Sequence, residues 1–141
     1  MKPIKIFLIE DNEGDILLTK EALVERKITN EIDVAKDGEQ ALNLLLGAVN
    51  GSGYTLPDLI ILDINLPKLN GHEILQKVKT TEGLKKIPVI MLTTSSSEKD
   101  ISMSYQHHAN CFVTKPVEVD KFLEAIGQIQ DFWLNIVKLP K

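Results

Sequence analysis

Residues 58–71 read DLIILDINLPKLNG, and this stretch decides the fold. Four apolar residues, Leu59, Ile60, Ile61 and Leu62, run into a single carboxylate, Asp63, and then into a segment holding Pro67, Asn70 and Gly71. A short apolar run closed by turn residues fits a strand buried on both faces. The same design recurs on either side. Residues 4–12, IKIFLIEDN, set Glu10 and Asp11 directly after an apolar run, and residues 31–35 form another short run. Residues 89–94, VIMLTT, end on Thr93 and Thr94, and residues 109–116, ANCFVTKP, end on Lys115 and Pro116.

Between these runs, apolar residues fall three or four apart, the spacing of a helix with one buried face. Ile16, Leu17, Ala22 and Leu23 suit a helix over residues 13–26. Ala41, Leu42, Leu45 and Leu46 suit a second after Gly38, and Ile74, Leu75 and Val78 a third. Ile101, Met103 and Tyr105 suit a weaker fourth. The longest stripe, Val119, Phe122, Leu123, Ile126, Ile129, Trp133, Ile136 and Val137, predicts a fifth helix over residues 118–137. Residues 47–57, GAVNGSGYTLP, read as a long flexible connection.

Five strands alternating with five helices predict a doubly wound α/β domain, its parallel sheet covered on both faces. In such a sheet the ligand crevice lies beyond the carboxyl ends of the strands. One edge therefore gathers Glu10, Asp11, Asp63, Thr93 and Lys115. A carboxylate after a strand is by itself an ordinary turn residue or helix cap, so the convergence carries the inference. Three carboxylates within a few ångströms repel one another and call for a proton or a cation. All-oxygen ligands suit a hard ion such as Mg²⁺. His107 and His108 are neighbours that diverge on a helix, and His72 stands alone, so no nitrogen or thiolate cluster competes.

Composition narrows the setting. The 141 residues carry 16 basic and 20 acidic side chains, a net charge of −4, which gives no electrostatic footprint for nucleic acid or an anionic membrane. Apolar runs such as 59–62 and 89–92 hold four residues, where a membrane span needs about 20. The single cysteine, Cys111, forms no internal disulfide and fits a reducing compartment. A single cytoplasmic domain over residues 1–141 is the expectation.

Glu10-Asp11, the segment LDINLPKLNG over residues 62–71, the Thr93-Thr94 step and Lys115-Pro116 together resemble the receiver domain of two-component response regulators. The order and spacing match from Ile4 to the final helix. EDNEGDILL over residues 10–18, the longer middle loop and the final helix make the chain most similar to small stand-alone receivers of the cyanobacterial phytochrome-associated type. The resemblance implies a flavodoxin-like fold with strand order 2-1-3-4-5. It implies that Asp63 accepts a phosphoryl group from a sensor histidine kinase, here a phytochrome-like one. Mg²⁺ or Mn²⁺ would be held by Asp11 and Asp63, with Glu10 acting through water and Asn65 lending its backbone carbonyl. Thr93 corresponds to the switch hydroxyl, Phe112 to the switch aromatic, and Lys115 to the lysine that contacts the phosphoryl group. Pro116 would follow a cis peptide bond. Output by protein contact is implied, including a homodimer through the fourth helix, fifth strand and fifth helix. The fifth helix, roughly 28 Å long at 1.5 Å per residue, is expected to outreach the sheet.

Three other readings compete. A Mg²⁺-dependent phosphohydrolase of the haloacid-dehalogenase type would carry a second aspartate two residues after Asp63, where Asn65 stands. A flavodoxin-like mononucleotide binder would need a phosphate cradle where Glu10-Asp11-Asn12 puts negative charge. A phosphorylation-independent binding module has no need of Asp11, Asp63, Thr93 and Lys115 together.

Overall fold

The computed structural model describes residues 4–25, 29–93, 111–115, 118 and 120–121. Its elements run in the order β1 (Ile4–Ile9), α1 (Glu13–Glu25), β2 (Thr29–Ala35), α2 (Gly38–Val49), β3 (Leu59–Asp63), α3 (Gly71–Thr80), β4 (Val89–Thr93) and β5 (Cys111–Thr114). The strands form one sheet in the order β2-β1-β3-β4-β5, every neighbouring pair parallel. The fold and strand order are those expected. Of the expected fifth helix only residues 118, 120 and 121 are described; the rest of it, the fourth helix and Pro116 lie outside the described residues, so the expected dimer surface is described mainly at β5.

Alternation along the strands explains the two-sided core. Phe7, Ile9, Ile60, Leu62, Val89 and Met91 bury one face of the sheet against Ala41 and Leu45 of α2 and Ile74, Leu75 and Val78 of α3. Ile6, Leu8, Leu59, Ile61, Ile90 and Leu92 bury the other face against Ile16 and Leu23 of α1. Side chains of successive residues point to opposite faces, so a central strand with both faces covered must be apolar throughout. All five residues of β3 are accordingly buried.

Boundaries shift where hydrogen bonds outrank composition. Strand β3 ends on Asp63 rather than Leu62, because Asp63 still pairs with Leu92. Asp58 stands just before the strand and accepts the Lys5 N–H at 2.8 Å through its carboxylate. Strand β4 extends to Thr93, paired with Thr114, and β2 begins at Thr29, opposite Ile4. The connection expected from residue 47 starts later, since α2 continues to Val49. Ser52 N–H bonds Gly47 C=O at 2.9 Å and Gly51 N–H bonds Ala48 C=O at 3.3 Å, closing the helix with a left-handed Gly51 at φ 89°. Only a residue without a Cβ adopts that conformation cheaply, so Gly51 sets the stop.

Asn70 opens α3 with a reciprocal capping box: its side chain accepts from Glu73 N–H, and Glu73 reaches back to the Asn70 N–H. Gly71 lets that helix start against the end of β3, since a Cβ there would lie 2.4 Å from the Asp63 carbonyl oxygen. The helix start and Asp63 are thereby locked together.

Candidate functional site

The carboxyl ends of β1, β3 and β5 meet at one cluster. Glu10 continues β1 by donating its N–H to Ala35 C=O at 3.0 Å, which carries its side chain into the interior, fully buried. Asp63 closes β3 and is 2% exposed. Lys115, the residue after β5, stretches back between them with its side chain 9% exposed. Its ammonium lies 2.6 Å from Glu10 Oε1, 3.0 Å from Asp15 Oδ2 and 3.2 Å from Asp63 Oδ2. Asp11 is exposed at the rim.

The charges do not balance around a single lysine. Burial, with the neighbouring Asp63 adding to it and Lys115 opposing, pushes the Glu10 carboxyl up from 4.5 to about 7. For Lys115, burial favours the neutral amine, but bonding to Glu10 and Asp15 and the charge of Asp63 outweigh it and hold the ammonium above the usual lysine range. Carboxylate oxygens of Glu10, Asp11 and Asp63 lie within 4.8 Å of one another. Glu10 Oε1 pairs with the Lys115 ammonium, and its Oε2 accepts the Asn12 N–H at 3.2 Å. An all-oxygen group with more negative charge than one ammonium balances fits a hard divalent cation.

Asn65 stands on the turn beyond Asp63 and donates its N–H to Asp63 Oδ1 at 3.2 Å, which orients the carboxylate. Thr93 ends β4, one residue beyond the register partner of Asp63. Phe112 lies opposite Met91 on β5, half-buried against the core on the α2 and α3 side. The cluster thus contains Glu10, Asp11, Asp63 and Lys115. Thr93 is at the same edge, and Phe112 packs beside the core.

Asp15 was not anticipated. In EDNEGD its position, three residues after Asn12, has the pattern of a helix-capping acid, while its partner Lys115 is 100 residues away. His72 is buried in the first turn of α3, which its isolated place in the sequence did not reveal.

Comparison with known proteins places these residues in context. The model of the response regulator receiver domain matches residues 6–127. Response regulator Rcp1 of Synechocystis sp. is 38% identical over 138 residues, covering 98% of this chain and 94% of that protein. The crystal structure of the phosphorylated cyanobacterial phytochrome response regulator RcpA superposes with a TM-score of 0.78 at 40% identity, covering 99% of each chain. The Mn²⁺-bound form of Rcp1 superposes with a TM-score of 0.76 at 38% identity, covering 99% of this chain and 100% of that one.

Proposed function

The chain belongs to the response regulator receiver domain family and so acts in two-component signalling as a phosphoacceptor, and we propose that Asp63 is the residue that receives the phosphoryl group. One observation carries this assignment. Asp63 is the carboxylate at the end of the central strand that is bonded to Lys115 and Asn65 and also shares the candidate cation group with Glu10 and Asp11.

The chemistry follows from the arrangement. A carboxylate oxygen of Asp63 attacks the phosphorus of a phosphohistidine on the sensor kinase. The P–N bond breaks, the imidazole leaves with its electron pair and takes up a proton, and an acyl phosphate remains on Asp63. Both reactants are anionic, so charge neutralisation and alignment supply most of the rate. Mg²⁺ or Mn²⁺ held by Glu10, Asp11 and Asp63, with the Asn65 carbonyl, would supply positive charge at the phosphoryl oxygens. Lys115 provides a further cation from the chain itself, and the burial of Asp63 and Glu10 restricts water at the reacting edge.

In the same reading, the Thr93 hydroxyl moves toward the new phosphoryl oxygens and Phe112 follows into the space vacated, a two-state element biased by added charge. The kinase is phytochrome-like, a reading supported by the similarity to the cyanobacterial phytochrome response regulator RcpA, and the setting is cytoplasmic, where ATP feeds histidine phosphorylation. The output is protein contact, including self-association, without turnover of an external substrate.

The test is incubation with acetyl phosphate and Mg²⁺, read by intact-protein mass spectrometry. The expected result is one phosphoryl group per chain and none on Asp63→Asn. Equal labelling of that variant would overturn the assignment.

A further inference from the structure

Two helices of this chain begin on the same cap but use it differently. At α3, Asn70 accepts from the N–H of Glu73, and the Glu73 side chain returns the bond to the Asn70 N–H at 3.2 Å. At α1, Asn12 Oδ1 likewise accepts from the Asp15 N–H at 2.9 Å. The Asn12 N–H, however, already donates to Glu10 Oε2 at 3.2 Å. The acid in the capping position is displaced from its usual acceptor role, and its carboxylate turns to Lys115 at 3.0 Å instead.

The three carboxylates around Lys115 are not equivalent. Glu10 and Asp63 belong to the group whose oxygens lie close enough to share a cation, and among the described residues that group is completed by Asp11, not Asp15. When a cation and a phosphoryl group engage Glu10 and Asp63, those two become poorer acceptors for the ammonium. Asp15 remains. It sits in the first turn of α1, where Asn12 Oδ1 accepts its N–H, and so belongs to a different element from Asp63.

We propose that Asp15 is a positioning residue for Lys115: it anchors one N–H of the ammonium throughout the reaction and leaves the others to meet the phosphoryl oxygens. The proposal rests on the reading of Asp63 as phosphoacceptor. It predicts that the hydrogen-bond acceptor at position 15 matters more than its charge, because the role is to aim the lysine.

Three variants of the 141-residue chain and three readouts test this. Asp15→Ala should slow phosphorylation at saturating acetyl phosphate about tenfold, the effect of losing one charge-assisted hydrogen bond. Half-saturating Mg²⁺ should stay unchanged. Asp15→Asn, which keeps an acceptor oxygen, should recover most of the rate, and Asp15→Glu should recover less because its longer side chain places the oxygen elsewhere. Independently of turnover, the Lys115 ε-carbon NMR signal in Mg²⁺-saturated protein should shift in Asp15→Ala and stay near its wild-type position in Asp15→Asn. Wild-type rate with an unmoved Lys115 signal in Asp15→Ala would overturn the proposal, as would faster phosphorylation or an Asp15→Asn variant as slow as Asp15→Ala. A wild-type chain that takes up no phosphoryl group would count against Asp63, while the Lys115 signal would still decide the role of Asp15.

Discussion

The ammonium of Lys115 stands 3.2 Å from Oδ2 of Asp63, a contact that joins residues 52 positions apart across the carboxyl edge of the sheet. Both side chains are almost fully withdrawn from water, at 9% and 3% exposed. The ammonium therefore serves the folded chain at rest as well as the reaction. It neutralises part of the charge that the carboxylates carry into the interior.

Replacing Lys115 by Met should consequently destabilise the metal-free protein by about 3–5 kcal/mol, the usual result of removing one partner from a buried ion pair. Urea unfolding with and without Mg²⁺ measures this. Saturating Mg²⁺ should restore part of the loss, because the cation takes over the neutralisation. A Lys115→Met protein as stable as wild type without Mg²⁺ would contradict this account.

Glu10 gives the pH dependence its sign. Its carboxyl lies at about 7 in the folded chain against an ordinary 4.5, so between these values the folded state holds a proton that the unfolded state has released. This contribution to stability is full below pH 4.5 and is lost as pH rises through about 7. Metal-free wild type should lose stability relative to Glu10→Gln across that window. Mg²⁺ affinity should rise over the same range, since the cation needs the ionised acid. Unfolding curves and Mg²⁺ titrations at stepped pH check both trends, and a constant difference between the two proteins would contradict the first.

At Gly71, an added methyl meets backbone that cannot rotate away, the Asp63 carbonyl at 2.4 Å and the Ile64 Cα at 2.7 Å. Gly71→Ala should cost about 1–3 kcal/mol, as overpacking does, and should slow phosphorylation by displacing Asp63. Denaturation midpoints and acetyl phosphate kinetics measure the two effects. A change in neither would separate the α3 start from the site.

Tyr54 lies toward the opposite end of β1. Its hydroxyl donates to Asp33 Oδ2 at 2.7 Å, its ring sits 4.2 Å from Lys5 Nζ, and it meets Phe7 edge-on at 6.3 Å between centroids. Tyr54→Phe keeps the ring contacts and loses one hydrogen bond, so it should cost about 1 kcal/mol. Phosphorylation should be unchanged, because Lys5 and Glu10 are separated by roughly 15 Å of strand. A slowed reaction would show that the 50–58 connection communicates with the site.

These residues also show where sequence reasoning succeeds and where it stops. The fold was legible because β3 and β4 bury both faces and are written as unbroken apolar runs, Leu59–Leu62 and Val89–Leu92, while β1 is apolar but for Lys5. The core of the site was legible because each run ends on a chemically distinct residue, Glu10, Asp63 and Thr93, with Lys115 following β5. Asp15 was hidden because a capping acid and a lysine anchor have the same local pattern, and the deciding contact is 100 residues distant. The loop after α2 was legible as a loop. Its attachment through Tyr54 and Asp58 to Lys5 was not, since nothing local distinguishes a tethered tyrosine from a solvated one.

The most direct measurement is the chemical location of the phosphoryl group. Protein phosphorylated with acetyl phosphate and Mg²⁺ is reduced with borohydride, which converts an aspartyl phosphate to homoserine, and is then sequenced by peptide mass spectrometry. The account predicts homoserine at position 63, none at Asp11 or Asp15, and no 5-hydroxynorvaline, the product a glutamyl phosphate would give, at Glu10. Homoserine at another aspartate, or a phosphoryl group that survives reduction on a serine or threonine, would contradict it.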